Sequence, residues 1–289
     1  DVFISNTAPA NIFGNTIAFF AGIGVRAAWQ TQPPQRLPLS YRVLDLIAGC
    51  LPIYQTNIAN SDWNRACFDN YPEIYKRKIR IIKDGIASRN LGISRDAARS
   101  EIGLPPDRFI FSTVGRLSAQ KGQDTVIKAL RDVPGSLLLI IGSGELEAEL
   151  RELATSTGVQ DRVRFCGEVS GEAVSRHLHA SDAFLFPSRW ETFGLAVVEA
   201  CTIGLPVIAS DIEVLREVLR DGASAIRFVP ADDPPLWASA MRELASMAPD
   251  ELNKLGAVSM IAADAHSISK HVDSIESVIL NRSRFPGHA

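Results

Sequence analysis

Short apolar runs rich in Val, Ile, Leu and Phe alternate along the whole chain with segments whose apolar residues recur every three or four positions. The first pattern belongs to buried strands and the second to helices with one apolar face. In the first part of the chain this predicts strands near residues 2–5, 25–29, 53–59 and 79–82, with helices near 10–21, 41–50 and 61–68. Between 30 and 38, Pro33, Pro34 and Pro38 exclude a helix interior and leave a long irregular connection of the kind that borders a site. A second series places strands near 109–114, 137–141, 163–165, 183–186, 206–209 and 225–229, and helices near 124–131, 145–155, 172–179, 196–201 and 215–219. Pro234 and Pro235 open a helix running to 247, and helical patterns near 249–262 and 267–280 follow. Alternation of this kind predicts the α/β class, with two doubly wound, Rossmann-like parallel sheets. The polar stretch 88–107, punctuated by Gly92, Gly103, Pro105 and Pro106, reads as the boundary between domains 1–104 and 105–289. Asp1 opens directly on a strand with no start methionine or signal pattern, so the first domain is expected to be incomplete, with sequence preceding it.

Composition narrows the function classes. Lys and Arg total 30 against 33 Asp and Glu, a net charge of −3, which excludes a basic nucleic-acid arm. With 46% apolar residues the 289-residue chain buries a substantial core and is not disordered. Cys50, Cys67, Cys166 and Cys201 form no CxxC pair, so neither a zinc ribbon nor a disulfide framework is indicated, and a cytoplasmic location fits. No apolar run approaches the ~18 residues of a membrane span, so the protein is expected to be soluble or membrane-peripheral. The run Lys76-Arg77-Lys78, with Arg80 and Lys83, reads as a solvated edge or as a seat on anionic lipid. His177 and His179, two positions apart, fall on different helix faces and read as surface residues rather than a shared metal site.

Ligands of open parallel sheets bind beyond the carboxyl ends of the strands, and three such loops are distinctive. The first, Gly115-Arg116-Leu117-Ser118-Ala119-Gln120-Lys121-Gly122, sets two cations at a strand end. It departs from a P-loop at Gln120 and Gly122, which disfavours an NTPase; taken alone it also reads as a solvated basic turn. The second, Gly142-Ser143-Gly144-Glu145, lacks the third glycine of a dinucleotide fingerprint because Glu147 stands there, and reads as a tight turn before a helix. In the third, Pro187 to Ala200, Gly194 opens a helix whose first amides face the strand ends, a natural diphosphate seat. Glu191 precedes that helix. Glu199 lies within it among Val197, Val198, Ala200 and Cys201, where it would accept a ribose diol or pair with a core arginine. Trp190 reads as a platform for a sugar ring or as core.

Taken in order, Gly115-Arg116-Leu117 with Lys121-Gly122, the Glu191 and Glu199 pair, and Gly204-Leu205-Pro206-Val207-Ile208-Ala209 resemble the retaining glycosyltransferases of family 4, which have the GT-B fold. The resemblance is strong over residues 108–229 and extends to Ile58-Ala59-Asn60-Ser61 and Ile81-Ile82-Lys83-Asp84-Gly85-Ile86, similar to segments leading into the interdomain hinge. It implies a nucleotide-sugar donor, a UDP- or GDP-sugar, held by the second domain, and a glycan or lipid-linked acceptor held by the first. It further implies that Arg116, Lys121 and the amides of Gly194 and Leu195 stabilise the leaving diphosphate, with Gly115 allowing close approach. Glu199 would hold the ribose, Glu191 the sugar hydroxyls, Phe193 and Gly194 would shape the sugar pocket, and Glu168 and Val169 would meet the base. No DxD triplet is present, Asp211-Ile212-Glu213 being a near miss, so metal-independent transfer without a cofactor is expected. Two departures stand out. The family's first strand and glycine-rich loop are not seen, and the loop Gln30-Thr31-Gln32-Pro33 carries no histidine where the family often has one beside the sugar. All five histidines, His177, His179, His266, His271 and His288, lie in the second half. A catalytically inactive nucleotide-sugar-binding module and a Rossmann-type epimerase or dehydrogenase are the other readings.

Overall fold

The strands among the described residues all run parallel to their neighbours, in two separate sheets. The computed structural model describes residues 1–87 and 90–280; Ser88, where the expected boundary begins, and His288 lie outside the described residues. Two compact units result: Asp1–Gly85 with the stretch beginning at His266, and Ile86–Ala265.

The first unit holds β1 (Val2–Ser5), β2 (Val25–Gln30), β3 (Thr56–Ala59) and β4 (Ile79–Ile81), side by side in that order. The helix expected at 10–21 divides into a π-helical turn, Ala10–Gly14, and α1 (Asn15–Phe20). Asn11 and Asn15 explain the wider turn, because both reach Ser5 at the end of β1: Ser5 Oγ donates to Asn11 Oδ1 (2.7 Å) and accepts from Asn15 Nδ2 (2.8 Å). Next come α2 (Leu39–Cys50), α3 (Asp62–Ala66), capped by Ser61 Oγ on Asn64 N, and the short α4 (Glu73–Lys76).

The second unit contains β5 (Ile110–Val114), β6 (Leu137–Ile141), β7 (Val163–Gly167), β8 (Ala183–Phe186), β9 (Val207–Ser210) and β10 (Ile226–Val229), in the spatial order β10-β9-β8-β5-β6-β7. The winding reverses between β5 and β8, which makes that gap the topological switch point. Its helices are α5 (Arg95–Glu101), α6 (Gln123–Leu130), α7 (Glu147–Ser156), α8 (Gly171–His179), α9 (Leu195–Thr202), α10 (Glu213–Val218), α11 (Pro234–Ser246) and α12 (Pro249–Asp264). Both sheet faces are covered. Phe111, Leu138, Ile140 and Leu185 pack beneath Trp237, Met241 and Ile127, and Ile110, Leu139 and Ile141 pack against Ala98 and Leu104 on the other side. Burial on both faces is why these strands read as unbroken apolar runs.

The domain expectation needs correcting at both ends. The chain passes between units at Gly85 and Ile86, not near residue 104, because the stretch read as a linker contains α5. Ser94 Oγ caps this helix on Ala97 N, and Arg99, 4% exposed, donates to Asp182 Oδ2 (2.5 Å), to Ala180 O (3.0 Å) and to Pro106 O (2.9 Å). Asp182 also pairs with Arg95 and accepts Ile110 N (2.7 Å), so α5 is tied to the central strand of the second sheet. At the far end α13 (Ile268–Leu280) belongs to the first unit: Ile275 and Val278 pack on Ala27, Trp29, Ile58 and Ile82, while Ala28 on the opposite sheet face meets Ala48 and Tyr54. This return also brings a histidine to the first unit. His271 lies 5.4 Å from the Trp29 ring and its Nδ1 hydrogen-bonds Lys83 O (2.8 Å). His177 and His179 are half-buried, each anchored through Nδ1 to the carbonyl four residues back.

Candidate active site

The loops that follow β5, β6 and β8 are fastened to one another at the carboxyl edge of the second sheet. From the β5 loop, Gly115 N donates to Ile141 O (3.0 Å) and Leu117 N to Ser143 O (2.9 Å), while Leu146 N returns to Leu117 O (3.1 Å). Gly142 and Gly144 permit this contact, since a Cβ there would stand 2.2 Å from Gly115 O and 2.4 Å from Leu117 O. Toward the other side, Arg189 N donates to Gln120 O (2.8 Å) and Gln120 Nε2 to Trp190 O (3.1 Å). Gly122 closes that seam: its φ of +64° is a left-handed conformation, and a Cβ would lie 2.2 Å from Pro187 O.

Arg189 is the principal clamp, and nothing in the sequence reading gave it a role. Its guanidinium donates to Asp124 through two nitrogens (3.0 and 2.9 Å), to Ala119 O (2.7 Å) and to Asp232 (2.7 Å). The detectable signal was a cation at the end of β8 and an acid, Asp124, in the first turn of α6, the helix that follows the neighbouring strand β5. Burial raises the Asp124 carboxyl, but the hydrogen bonds and charge of Arg189, with Lys128, outweigh it and hold Asp124 below its ordinary value. A depressed folded-state value means stability present above the unfolded carboxylate range, about 3.9, and lost as pH falls through the lower folded value. Urea unfolding from pH 6 down to 2.5 is therefore expected to show a loss of stability below about pH 4 that is reduced in Asp124→Asn; identical profiles would remove Asp124 from this role.

Lys121 and Glu191 meet across the switch point, with Nζ 2.5 Å from Oε1. Glu191 is 7% exposed and Lys121 keeps about a fifth of its side chain open, with Nζ 5.4 Å from the centre of the Phe186 ring. Two residues singled out from sequence are thus partners, each holding the other in place. In the β8 loop, three residues before Glu191, Ser188 Oγ is buried without a hydrogen-bond partner. Gly194 then turns the chain at φ +99° into α9, whose N-terminus has no side-chain cap. An uncapped helix start carries free amides and partial positive charge. Leu195 is 47% exposed at that end, whereas Phe193, 2% exposed, supports the loop from the core.

The remaining sequence candidates lie further out. Arg116 is largely exposed and pairs with Glu145 (3.1 Å), and Gln123 Nε2 holds its carbonyl (3.1 Å). Glu168 accepts Ser143 Oγ (3.1 Å), linking the β7 loop to the β6 loop, and Val169 packs on the core with Val174 and Cys166. Glu199 is half-buried and lines a small crevice between α8 and α9 with Gly171, Ser175 and Thr202. Trp190 is half-buried. Burial pushes the Cys201 thiol up to about 12, so this cysteine is not a nucleophile near neutral pH.

The second unit is thus a doubly wound parallel domain with a charged pair and an uncapped helix start at its switch point. Residues 94–257, more than half of the chain, match the family described as Glycosyl transferases group 1, and the chain belongs to that family. It is 36% identical over 169 residues to a D-inositol 3-phosphate glycosyltransferase of Mycolicibacterium smegmatis, covering 57% of this chain and 39% of that protein. A second, from Geodermatophilus obscurus, is 33% identical over 233 residues, 75% of this chain and 50% of its own. The chain thus spans half or less of the length of these curated relatives. Among solved structures, Anabaena Alr3699/HepE in complex with UDP and glucose superposes with a TM-score of 0.85 at 20% identity, covering 99% of this chain and 78% of that one. Sucrose-phosphate synthase of Thermosynechococcus elongatus gives 0.82 at 21%, covering 98% and 73%. The α/β fold is that of the GT-B glycosyltransferases.

Proposed function

We propose that the chain is a retaining, metal-independent glycosyltransferase of family 4 that moves a hexosyl group from a UDP- or GDP-sugar to a glycan or lipid-linked acceptor. The Lys121–Glu191 pair at the switch point carries this reading. As the sugar–phosphate bond breaks, charge grows on the leaving diphosphate, and preorganised cations and amides aimed at it lower the barrier. Lys121, the outlying Arg116 and the first amides of α9 at Gly194 and Leu195 supply that charge without a metal ion. Glu191 holds Lys121 in position and accepts hydroxyls of the donor sugar, and the buried Ser188 hydroxyl gains a partner. Glu199 binds the ribose, and Glu168 and Val169 border the base. HepE, described with UDP and glucose, and the inositol phosphate glycosyltransferases support a nucleotide-sugar donor and a hydroxyl acceptor.

The first unit adds a feature relevant to a lipid-linked acceptor. Phe13, Ile17 and Phe20 recur along one stripe, as do Leu39, Val43 and Ile47 on α2, and all are exposed. These exposed apolar positions suit peripheral contact with a bilayer, whereas Lys76 and Arg77 are paired with Glu73. No helix among the described residues is long and apolar enough to cross a membrane.

Calorimetric titration with UDP, GDP, ADP and NAD tests the reading: one nucleoside diphosphate is expected to bind, and preference for NAD would overturn it. Arg116→Ala is expected to cost about 1 kcal/mol of UDP affinity, the scale of an exposed charged contact, measurable as a fivefold weaker Kd. Glu199→Ala is expected to weaken UDP by about 1.5–3 kcal/mol, the range for a hydrogen bond to a charged group, while leaving inorganic pyrophosphate binding unchanged. Equal losses for both ligands would take Glu199 off the ribose. An inactive nucleotide-sugar-binding module is the second reading, favoured by the lack of a histidine in the loop Gln30-Thr31-Gln32-Pro33; turnover of a bound nucleotide-sugar would exclude it.

A further inference from the structure

At the amino ends of β2, β3 and β4 the first unit opens a cavity of about 750 Å³, on the sheet edge opposite the one where ligands of such sheets ordinarily bind. Its size falls in the range of small-molecule sites. Phe19, Cys50, Tyr54 and Ile74 supply apolar wall, and the two charged residues that line it, Arg26 and Lys78, are both cations. Strand register brings them there. Arg26 precedes the Ala27 and Thr56 pair, and Lys78 precedes the Asn57 and Ile79 pair, so both stand at strand starts beside Gln55 and Thr56.

Arg26 is 7% exposed. Its guanidinium spends three of five N–H hydrogens on main-chain carbonyls: Nε donates to Ile53 O (3.0 Å), Nη2 to Pro52 O (2.8 Å) and Nη1 to Ile23 O. The Phe19 ring lies 5.1 Å from its central carbon. Carbonyls satisfy hydrogen bonds but carry no net charge, and Arg26 makes no ion pair among the described residues. Arg99, the other arginine buried among them, has the Asp182 carboxylate opposite it. A buried charge without a counter-ion is costly, and burial alone pulls the Arg26 guanidinium below its ordinary value. Nη1 and Nη2 each keep one N–H, the groups with which a guanidinium receives phosphate oxygens. Lys78 Nζ, held by Gly49 O (2.7 Å) and Leu51 O (2.6 Å), adds a second positive group at the start of β4. The proposed sugar transfer uses neither cation.

We propose that this cavity is a second ligand site, for a small phosphomonoester with an apolar body, its phosphate neutralising Arg26 and Lys78 and its body lying against Phe19 and Ile74. The site stands whether or not the second unit binds a nucleotide. The test is an NMR titration of the 289-residue chain with phenyl phosphate, read at the amides of Arg26, Gln55 and Lys78. Those amides are expected to shift and saturate, with phenol binding about tenfold more weakly or worse for want of the charge-assisted bonds, and with inorganic phosphate moving the same amides at lower affinity. Ile74 is 55% exposed, so charge can be introduced there without disturbing the core. Ile74→Glu is expected to weaken phenyl phosphate by about tenfold or more, as a like charge set beside the phosphate, whereas Ile74→Lys is expected to leave it as tight or tighter. Lys78→Gln is expected to weaken it about fivefold, the scale of one partly exposed charged contact. Arg26→Gln is expected to abolish binding; because it also frees three carbonyls, the Ile74 pair decides the matter if that variant unfolds. Phosphatidic acid vesicles present the same group from a bilayer. Pelleting of the chain that Ile74→Glu abolishes would mark the source as a lipid headgroup, and phenyl phosphate binding without pelleting would mark a soluble compound; both satisfy the proposal. Phenol as tight as phenyl phosphate, equal weakening by Ile74→Glu and Ile74→Lys, or no shift of the three amides would overturn it.

Discussion

Lys121→Ala is expected to lower kcat for nucleotide-sugar turnover by about 10²–10³-fold, the loss seen when one preorganised donor to a developing charge is removed. The side chain bridges the β5 and β8 loops at the switch point, where its Nζ is already fixed by Glu191 at 2.5 Å. Removing it has a second consequence, because Glu191 is left 7% exposed with its carboxylate unpaired. Loss of stability and loss of charge stabilisation are separated by the double variant Lys121→Ala/Glu191→Gln, which carries no orphaned charge. That variant is expected to recover the melting temperature of the parent while remaining as inactive as Lys121→Ala. Recovery of turnover together with stability would mean that Lys121 serves the fold and not the chemistry.

Gly122→Ala is expected to destabilise the second unit by roughly 2–5 kcal/mol, combining about 1–2 for a left-handed Cβ with about 1–3 for overpacking. The clash is with backbone: the new methyl would sit 2.2 Å from Pro187 O, and no rotamer relieves it. Relief requires parting the β5 loop from the β8 loop, so affinity for UDP is expected to fall with stability. Gly135→Ala is the matched control, because its φ of +80° is also left-handed but no atom lies within 4 Å of its Cβ. Chemical denaturation comparing the two isolates the contact. Equal effects would show that backbone conformation alone matters and that the loop seam does not.

Where one physical cause set a local structure, the chain could be read directly. β6, Leu137–Ile141, is apolar without alternation because both of its faces are covered, and β8 behaves likewise. α5 was missed although its signals were present: Ser94 as cap, Asp96 in the first turn, and Gly103 with Pro105 after it. What concealed it was its polar surface, since its anchor is the buried Arg99–Asp182 pair rather than an apolar stripe. α13 was legible as a helix, but its place on the first sheet depends on Ile275 and Val278 meeting Trp29, a contact across most of the chain that no local pattern encodes. In the candidate site the residue types were legible and their pairing was not. Glu191 was expected to face a sugar and is found holding Lys121, while Arg189, assigned no role, clamps the two loops through Asp124.

The central claim is that a nucleoside diphosphate sits at the β5/β8 switch point, and a crystal of this chain soaked with UDP measures it most directly. The account predicts diphosphate density within hydrogen-bond distance of Lys121 Nζ and the first amides of α9, with the ribose reaching Glu199. UDP bound elsewhere, with the Lys121–Glu191 pair untouched and the start of α9 unoccupied, would contradict it.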